Sequence, residues 1–146
     1  MDAAYCGGEW LALAGEPGAG KLALLRAVHR HRNPAGTLRV LDAAEAADHH
    51  WMVRALGELL EGQGSLVIRH VDRLSALRLR TLWIALEHAL AVGRQKTLWV
   101  SVTLSQSPVK ADLASLLGRS RTPWSFRRCA TISRTCISWC RCSWPS

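Results

Sequence analysis

Short apolar runs alternate with amphipathic segments along most of the chain, and that alternation predicts its fold class. "EWLALAG" (Glu9–Gly15) is apolar, short and closed by glycine, which predicts a buried strand. "KLALLRAVHRH" (Lys21–His31) carries Leu22, Leu25 and Val28 on one side of a predicted helix, and "NPAG" (Asn33–Gly36) has turn chemistry. A second strand follows in "TLRVLDA" (Thr37–Ala43), and "AEAADHHWMVRALGELLEG" (Ala44–Gly62) is mostly helical in pattern. "SLVIRHV" (Ser65–Val71) is a third strand, and "SALRLRTLWIALEHALAV" (Ser75–Val92) is a helix with Ser75 as its cap. "KTLWVSVTL" (Lys96–Leu104) is a fourth strand, followed by a short helix in "SPVKADLASLL" (Ser107–Leu117) with Pro108 near its first turn. Strands and helices in this order predict an α/β fold, a parallel sheet covered on both faces. There is no internal repeat.

The loop after the first strand is where chemistry can sit. Gly15, Gly18, Gly20 and Lys21 fit the pattern G-x-x-x-x-G-K between a strand and a helix. Glycines let backbone amides turn inward around phosphate oxygens, the lysine reaches the terminal phosphates, and the helix start adds partial positive charge. The candidate nucleotide-binding residues are therefore Gly15, Glu16, Pro17, Gly18, Ala19, Gly20, Lys21 and Leu22. Leu22 breaks the pattern, because a serine or threonine hydroxyl belongs there.

Composition divides the chain. Its 146 residues suffice for one core, and 49% are apolar, which excludes general disorder. The net charge of +8 invites a nucleic-acid reading, but residues 1–118 hold 13 basic and 11 acidic side chains. Residues 119–146 hold six arginines, no acid and four of the five cysteines. The basic character thus belongs to the tail, and two compositions meet near Gly118. No apolar run reaches the length of about 18 residues that a membrane helix needs. The acidic start "MDAAYCGGEW" lacks a signal-peptide layout, so a cytoplasmic protein with reduced thiols is expected.

Over roughly Gly8 to Leu117 the sequence resembles the AAA+ domain of sigma-54-type enhancer-binding transcription activators, which often carry Fis-type DNA-binding domains. "LALAGEPGAGKLALLRAVHR" is similar to the first nucleotide motif of that family, and "GSLVIRHVDRLSALRLRTLWIAL" to the segment holding its second. "LWVSVTL" resembles the sensor strand and "VKADLASLL" the arginine-finger helix. The resemblance implies an ATP-binding P-loop NTPase sheet, other AAA+ protomers or transcription machinery as partners, no direct DNA contact from this part, and no membrane.

The departures bear on activity. Leu22 removes the hydroxyl that holds Mg²⁺, and Arg69 and His70 stand at the two acidic positions of the second motif. Leu104 replaces the sensor asparagine, Lys110 and Leu116 fall at the two arginine positions, and the sigma-gripping G-A-F-T-G-A loop is missing. ATP hydrolysis depends on metal charge and a positioned water, and an arginine alone supplies a factor of about 10³–10⁵. These losses predict ATP binding without turnover, no catalytic residue and no metal ligand. Two alternatives stay open: an active small P-loop ATPase or kinase using Asp72 or Asp42 for metal, and an inert truncated product.

The remaining histidines lack zinc spacing. Trp10, Trp51, Trp83 and Trp99 fall in apolar elements and are expected in the core, and "RAVHRHR" (Arg26–Arg32) is expected to be a solvated helix end. In the tail, Cys129, Cys136, Cys140 and Cys142 do not form C-x₂-C pairs. Its blend of Arg, Cys, Ser and Trp is that of an out-of-frame reading of GC-rich DNA. Back-translated and shifted one base upstream from Pro123/Trp124, it is compatible with "VEFPPLRHHLADLHQLVPLLLAE". That string resembles the family's continuation with its P-P-L-R segment. The expectation is a partial, degenerate AAA+ domain over residues 1–118, lacking the last strand and the helical lid. Residues 119–146 are expected to be an aberrant tail with no packed element, the alternative being a genuine basic tail that binds something acidic.

Overall fold

The computed structural model describes residues 10–46, 49–93 and 97–105, together with the backbone of 124–129. Strand β1 (Trp10–Gly15) is buried at all six positions, and leads through the glycine loop into helix α1 (Lys21–Arg32). Asn33 ends α1, and the Gly36 amide closes the expected turn on the Asn33 carbonyl at 2.9 Å. Strand β2 (Leu38–Asp42) follows.

The long segment expected as mostly helix is divided. A short 3-10 turn (Ala43–Glu45) precedes helix α2 (His49–Glu61). Asp42 causes the break, because its carboxylate caps the Ala44 amide at 2.9 Å and turns the chain as it leaves the sheet. Strand β3 (Gly64–Arg69), a second 3-10 turn (Val71–Arg73) and helix α3 (Ala76–Ala91) come next. Ser75 caps α3 as its sequence position implies, its hydroxyl accepting from the Arg78 amide. Strand β4 (Leu98–Leu104) is buried at all seven positions.

All pairings are parallel and the strand order is β2-β3-β4-β1-β5. Burial along the whole of β1 and β4 means that both faces of the sheet are covered, as the uninterrupted apolar runs predict. Trp10, Leu13, Val67, Ile68, Val100 and Val102, the expected sheet core, are all buried, and so are Trp51, Trp83 and Trp99. The Trp10 indole donates to the Leu98 carbonyl at 3.2 Å, tying β1 to the start of β4.

Strand β5 (Trp124–Cys129) corrects an expectation. The sheet was expected to lack its last strand and the chain to form nothing packed beyond Gly118. Instead β5 pairs with β1 along its length, from Trp10 opposite Trp124 to Gly15 opposite Cys129. The physical reason lies in β1: an apolar strand with β4 on one side offers a row of unpaired amides and carbonyls on the other. The run "WSFRRC" has enough aromatic and extended-chain preference to fill it. The short helix expected at Ser107–Leu117, with Lys110 and Leu116, lies outside the described residues, as does any helical lid.

Candidate nucleotide site

The glycine loop leaves the carboxyl end of β1, where open parallel sheets bind ligands. Glu16, Pro17 and Gly18 are exposed, while Ala19 and Gly20 are half-buried. Gly18 (φ 80) and Gly20 (φ 68) are both left-handed, the conformation that turns successive amides to one side. A Cβ on Gly18 would meet nothing within 4 Å, so glycine is required there by backbone angle rather than by crowding. Gly20 is also the residue at the head of α1, where no side chain caps the helix and no acid occupies its first turn. The helix start keeps its positive character for an anion.

Lys21 is buried to 9% exposure, and its ammonium donates to the Gly15 and Glu16 carbonyls, each at 2.7 Å. A buried ammonium needs such partners. Folded back on its own loop, Lys21 keeps its ammonium at the carboxyl end of β1. Leu22 is half-buried and packs against the hydrophobic core together with Leu24. The residue that breaks the loop pattern is thus held by core contact. Of the eight expected residues, Gly15 to Leu22, all belong to this one strand–loop–helix turn.

A second cluster stands at the carboxyl ends of β2 and β3. Register places Asp42 beside Arg69, and an Arg69 guanidinium nitrogen lies 3.1 Å from Asp42 Oδ2. His70 Nδ1 lies 2.9 Å from Asp42 Oδ1. His70 is left-handed (φ 54, ψ 43) and among the described residues is the one non-glycine with positive φ. That conformation costs an ordinary residue about 1–2 kcal/mol. The His70 amide offsets it by donating to Thr103 Oγ1 of β4 at 3.3 Å, and the ring by bonding Asp42. Burial pushes the Asp42 carboxyl up. The hydrogen bonds from His70 and the Ala44 amide, and the charges of His70 and Arg69, outweigh this and hold it below its usual 3.8.

Asp72 is also committed. Its two carboxylate oxygens accept from the Ser105 amide at 3.2 Å and from the Ser105 hydroxyl, joining the turn after β3 to the end of β4. Leu104, at the end of β4, is fully buried.

The donor chemistry therefore separates nucleotide from metal. The left-handed glycines, the uncapped helix start and Lys21 suit a polyphosphate. Mg²⁺ requires oxygen ligands in octahedral array, whereas Leu22, Arg69 and His70 offer a hydrocarbon, a guanidinium and an imidazole. Asp42 and Asp72, the two carboxylates considered for a metal, are already engaged by Arg69 and His70 and by Ser105. The Asp42–Arg69–His70 arrangement was not legible beforehand, although an acid and a base ending two neighbouring parallel strands is the signal that could have revealed it.

No protein-family model and no curated protein matches the sequence. Solved structures do. C. elegans PCH-2 is similar with a TM-score of 0.56 at 13% identity, over 90% of this chain and 40% of that one. Thermotoga maritima RuvB T158V gives 0.55 at 24% identity, over 87% and 40%. A structure of Drosophila ORC bound to DNA gives 0.50 at 16% identity, over 89% and 85%. The chain has the AAA+-type P-loop NTPase fold, and spans 40% of the PCH-2 and RuvB chains it resembles. Among the described residues, no helix is long and apolar enough to cross a membrane.

Proposed function

We propose that this chain is a nucleotide-binding AAA+ module in which Gly15–Leu22 binds ATP and hydrolysis has been lost. The observation that carries the reading is the pairing of two facts. Lys21 is buried and held at the head of a left-handed glycine loop, while the positions that should activate water and hold metal are Arg69 and His70. The chain's motifs resemble those of the sigma-54-activator, Fis-type regulators, and that resemblance supports a reading in which it acts in the cytoplasm with other AAA+ protomers or transcription machinery. On this reading the change at Gly118 is a change of reading frame, and β5 is an improvised strand supplied by the shifted segment. Sequencing the coding DNA across codons 110–146 tests that part.

Calorimetric titration with ATP tests the binding reading. The wild-type chain binds, and Lys21→Ala weakens affinity about 10–100-fold, the worth of a charged hydrogen bond to phosphate. Affinity unchanged by Lys21→Ala would remove the loop from any role. A coupled assay tests the loss of hydrolysis: turnover stays below about 0.1 s⁻¹, far under usual enzyme values. Faster turnover would favour an active ATPase using Asp72 or Asp42.

A further inference from the structure

The misfit between this site and Mg²⁺ points to its replacement. We propose that Arg69, with His70 beside it, takes the place of the divalent cation, so that the loop binds the nucleoside polyphosphate as a metal-free anion. This rests on the reading of Gly15–Leu22 as a nucleotide site.

The placement follows from the sheet. Strand β4 lies between β1 and β3, so the ends of β1 and β3 stand two strand spacings apart, about 9–10 Å. Leu13 and Ile68 pair with Thr103 and Val102 of β4, which sets Arg69 and His70 level with Leu13 and Ala14, just before the glycine loop. The cation thus stands at the same carboxyl end of the sheet as the glycine loop that carries Lys21.

The pairing of Arg69 suits a transferable cation. Its side chain is 34% exposed, and one guanidinium nitrogen is engaged by Asp42 Oδ2. A guanidinium has five N–H donors in a fixed fork, and the fork matches a phosphate as well as a carboxylate. Asp42 does not depend on Arg69 alone, since His70 and the Ala44 amide both hold Oδ1. When a polyphosphate arrives, Arg69 turns from Asp42 toward it, and Asp42 keeps two partners. A divalent cation would meet the opposite situation, a fixed positive charge where its ligands should be.

Titration of ATP with the full chain, in excess EDTA and again in millimolar Mg²⁺, tests this. Binding persists in EDTA with affinity equal to or tighter than in Mg²⁺, because the free anion carries more charge than its metal complex. Arg69→Met, which keeps the apolar stem, weakens the EDTA affinity about 10–100-fold, and Arg69→Lys restores most of it. Thermal melts without nucleotide show that both variants are folded. Binding in Mg²⁺ but not in EDTA overturns the replacement while leaving the nucleotide site standing. Equal affinity for Arg69→Met and wild type in EDTA makes Arg69–Asp42 a structural ion pair only. Absence of ATP binding under both conditions overturns the nucleotide reading itself, and this inference with it.

Discussion

Asp42 Oδ1 and His70 Nδ1 lie 2.9 Å apart across the ends of β2 and β3, with the Arg69 guanidinium on the other carboxylate oxygen. The contact holds a left-handed histidine in place, and the same carboxylate pairs with the Arg69 guanidinium. It also ties stability to pH. The folded-state pKa of Asp42 is below 3.8, so the unfolded chain takes up its proton first on acidification. The contribution is therefore complete above the unfolded value and is lost as pH falls through the folded one. Denaturant melts should find Asp42→Asn less stable than wild type at pH 6–7, with the gap beginning to close below about pH 5. A gap independent of pH down to the acid limit would mean that the carboxylate charge contributes nothing.

His29 makes a second connection. Its Nδ1 lies 2.8 Å from the Ser65 hydroxyl and its Nε2 3.1 Å from the Gly36 carbonyl, with His29 and Ser65 both buried. The carbonyl can only accept, so Nε2 donates to it, while Nδ1 is hydrogen-bonded to the serine hydroxyl. One imidazole thereby fixes α1 to β3 and to the turn before β2. His29→Leu should cost about 1–3 kcal/mol, because it leaves a buried hydroxyl and a carbonyl without partners. Adding Ser65→Ala to it should return part of that loss. Additive single effects would show that the two side chains do not interact.

Ser101 offers the reverse case. It is fully buried in β4, between Leu11 of β1 and Val67 of β3, and its hydroxyl has no hydrogen-bond partner. Ser101→Ala removes an unpaired polar atom and very little volume, so it should raise stability by up to about 1 kcal/mol. A thermal or urea melt decides. Destabilisation would reveal a partner for the hydroxyl.

These residues mark what the sequence could and could not convey. The apolar runs of β1, β3 and β4 are uninterrupted, and Leu25, Val28, Leu82 and Leu86 keep helical spacing, so element type and core followed from local pattern. The phosphate loop was legible for the same reason: strand, glycines, lysine and helix are contiguous. The Asp42–Arg69–His70 cluster joins residues 27 and 28 positions apart, and only the strand register brings them together. His29 lies in the Arg26–Arg32 segment expected to be a solvated helix end, yet it is buried, because its partners lie at Gly36 and Ser65. The error over β5 had another origin. The arginine content and frame of the tail argued against structure, but a strand at the edge of a sheet is selected by the edge that needs covering.

That last point yields the sharpest stability prediction. β1 is buried along its length, with β4 on one side and β5 on the other. Removing residues 119–146 strips β5 away and leaves six apolar residues with one row of unpaired backbone groups. An exposed, flat, apolar edge pairs with other chains. The shortened protein should therefore be less soluble and form concentration-dependent aggregates on light scattering, although α1, β2 and β3 are untouched. A chain whose coding frame is restored to the P-P-L-R continuation should remain monodisperse, if its own segment covers the same edge. Hydrogen exchange gives an independent measure in the full chain. Amides of Trp124–Cys129 that bond β1 should be slowed relative to the amide of exposed Ala35 in the turn before β2. A truncated chain as soluble as the full one, together with unprotected amides at 124–129, would show that the edge of β1 does not need this strand.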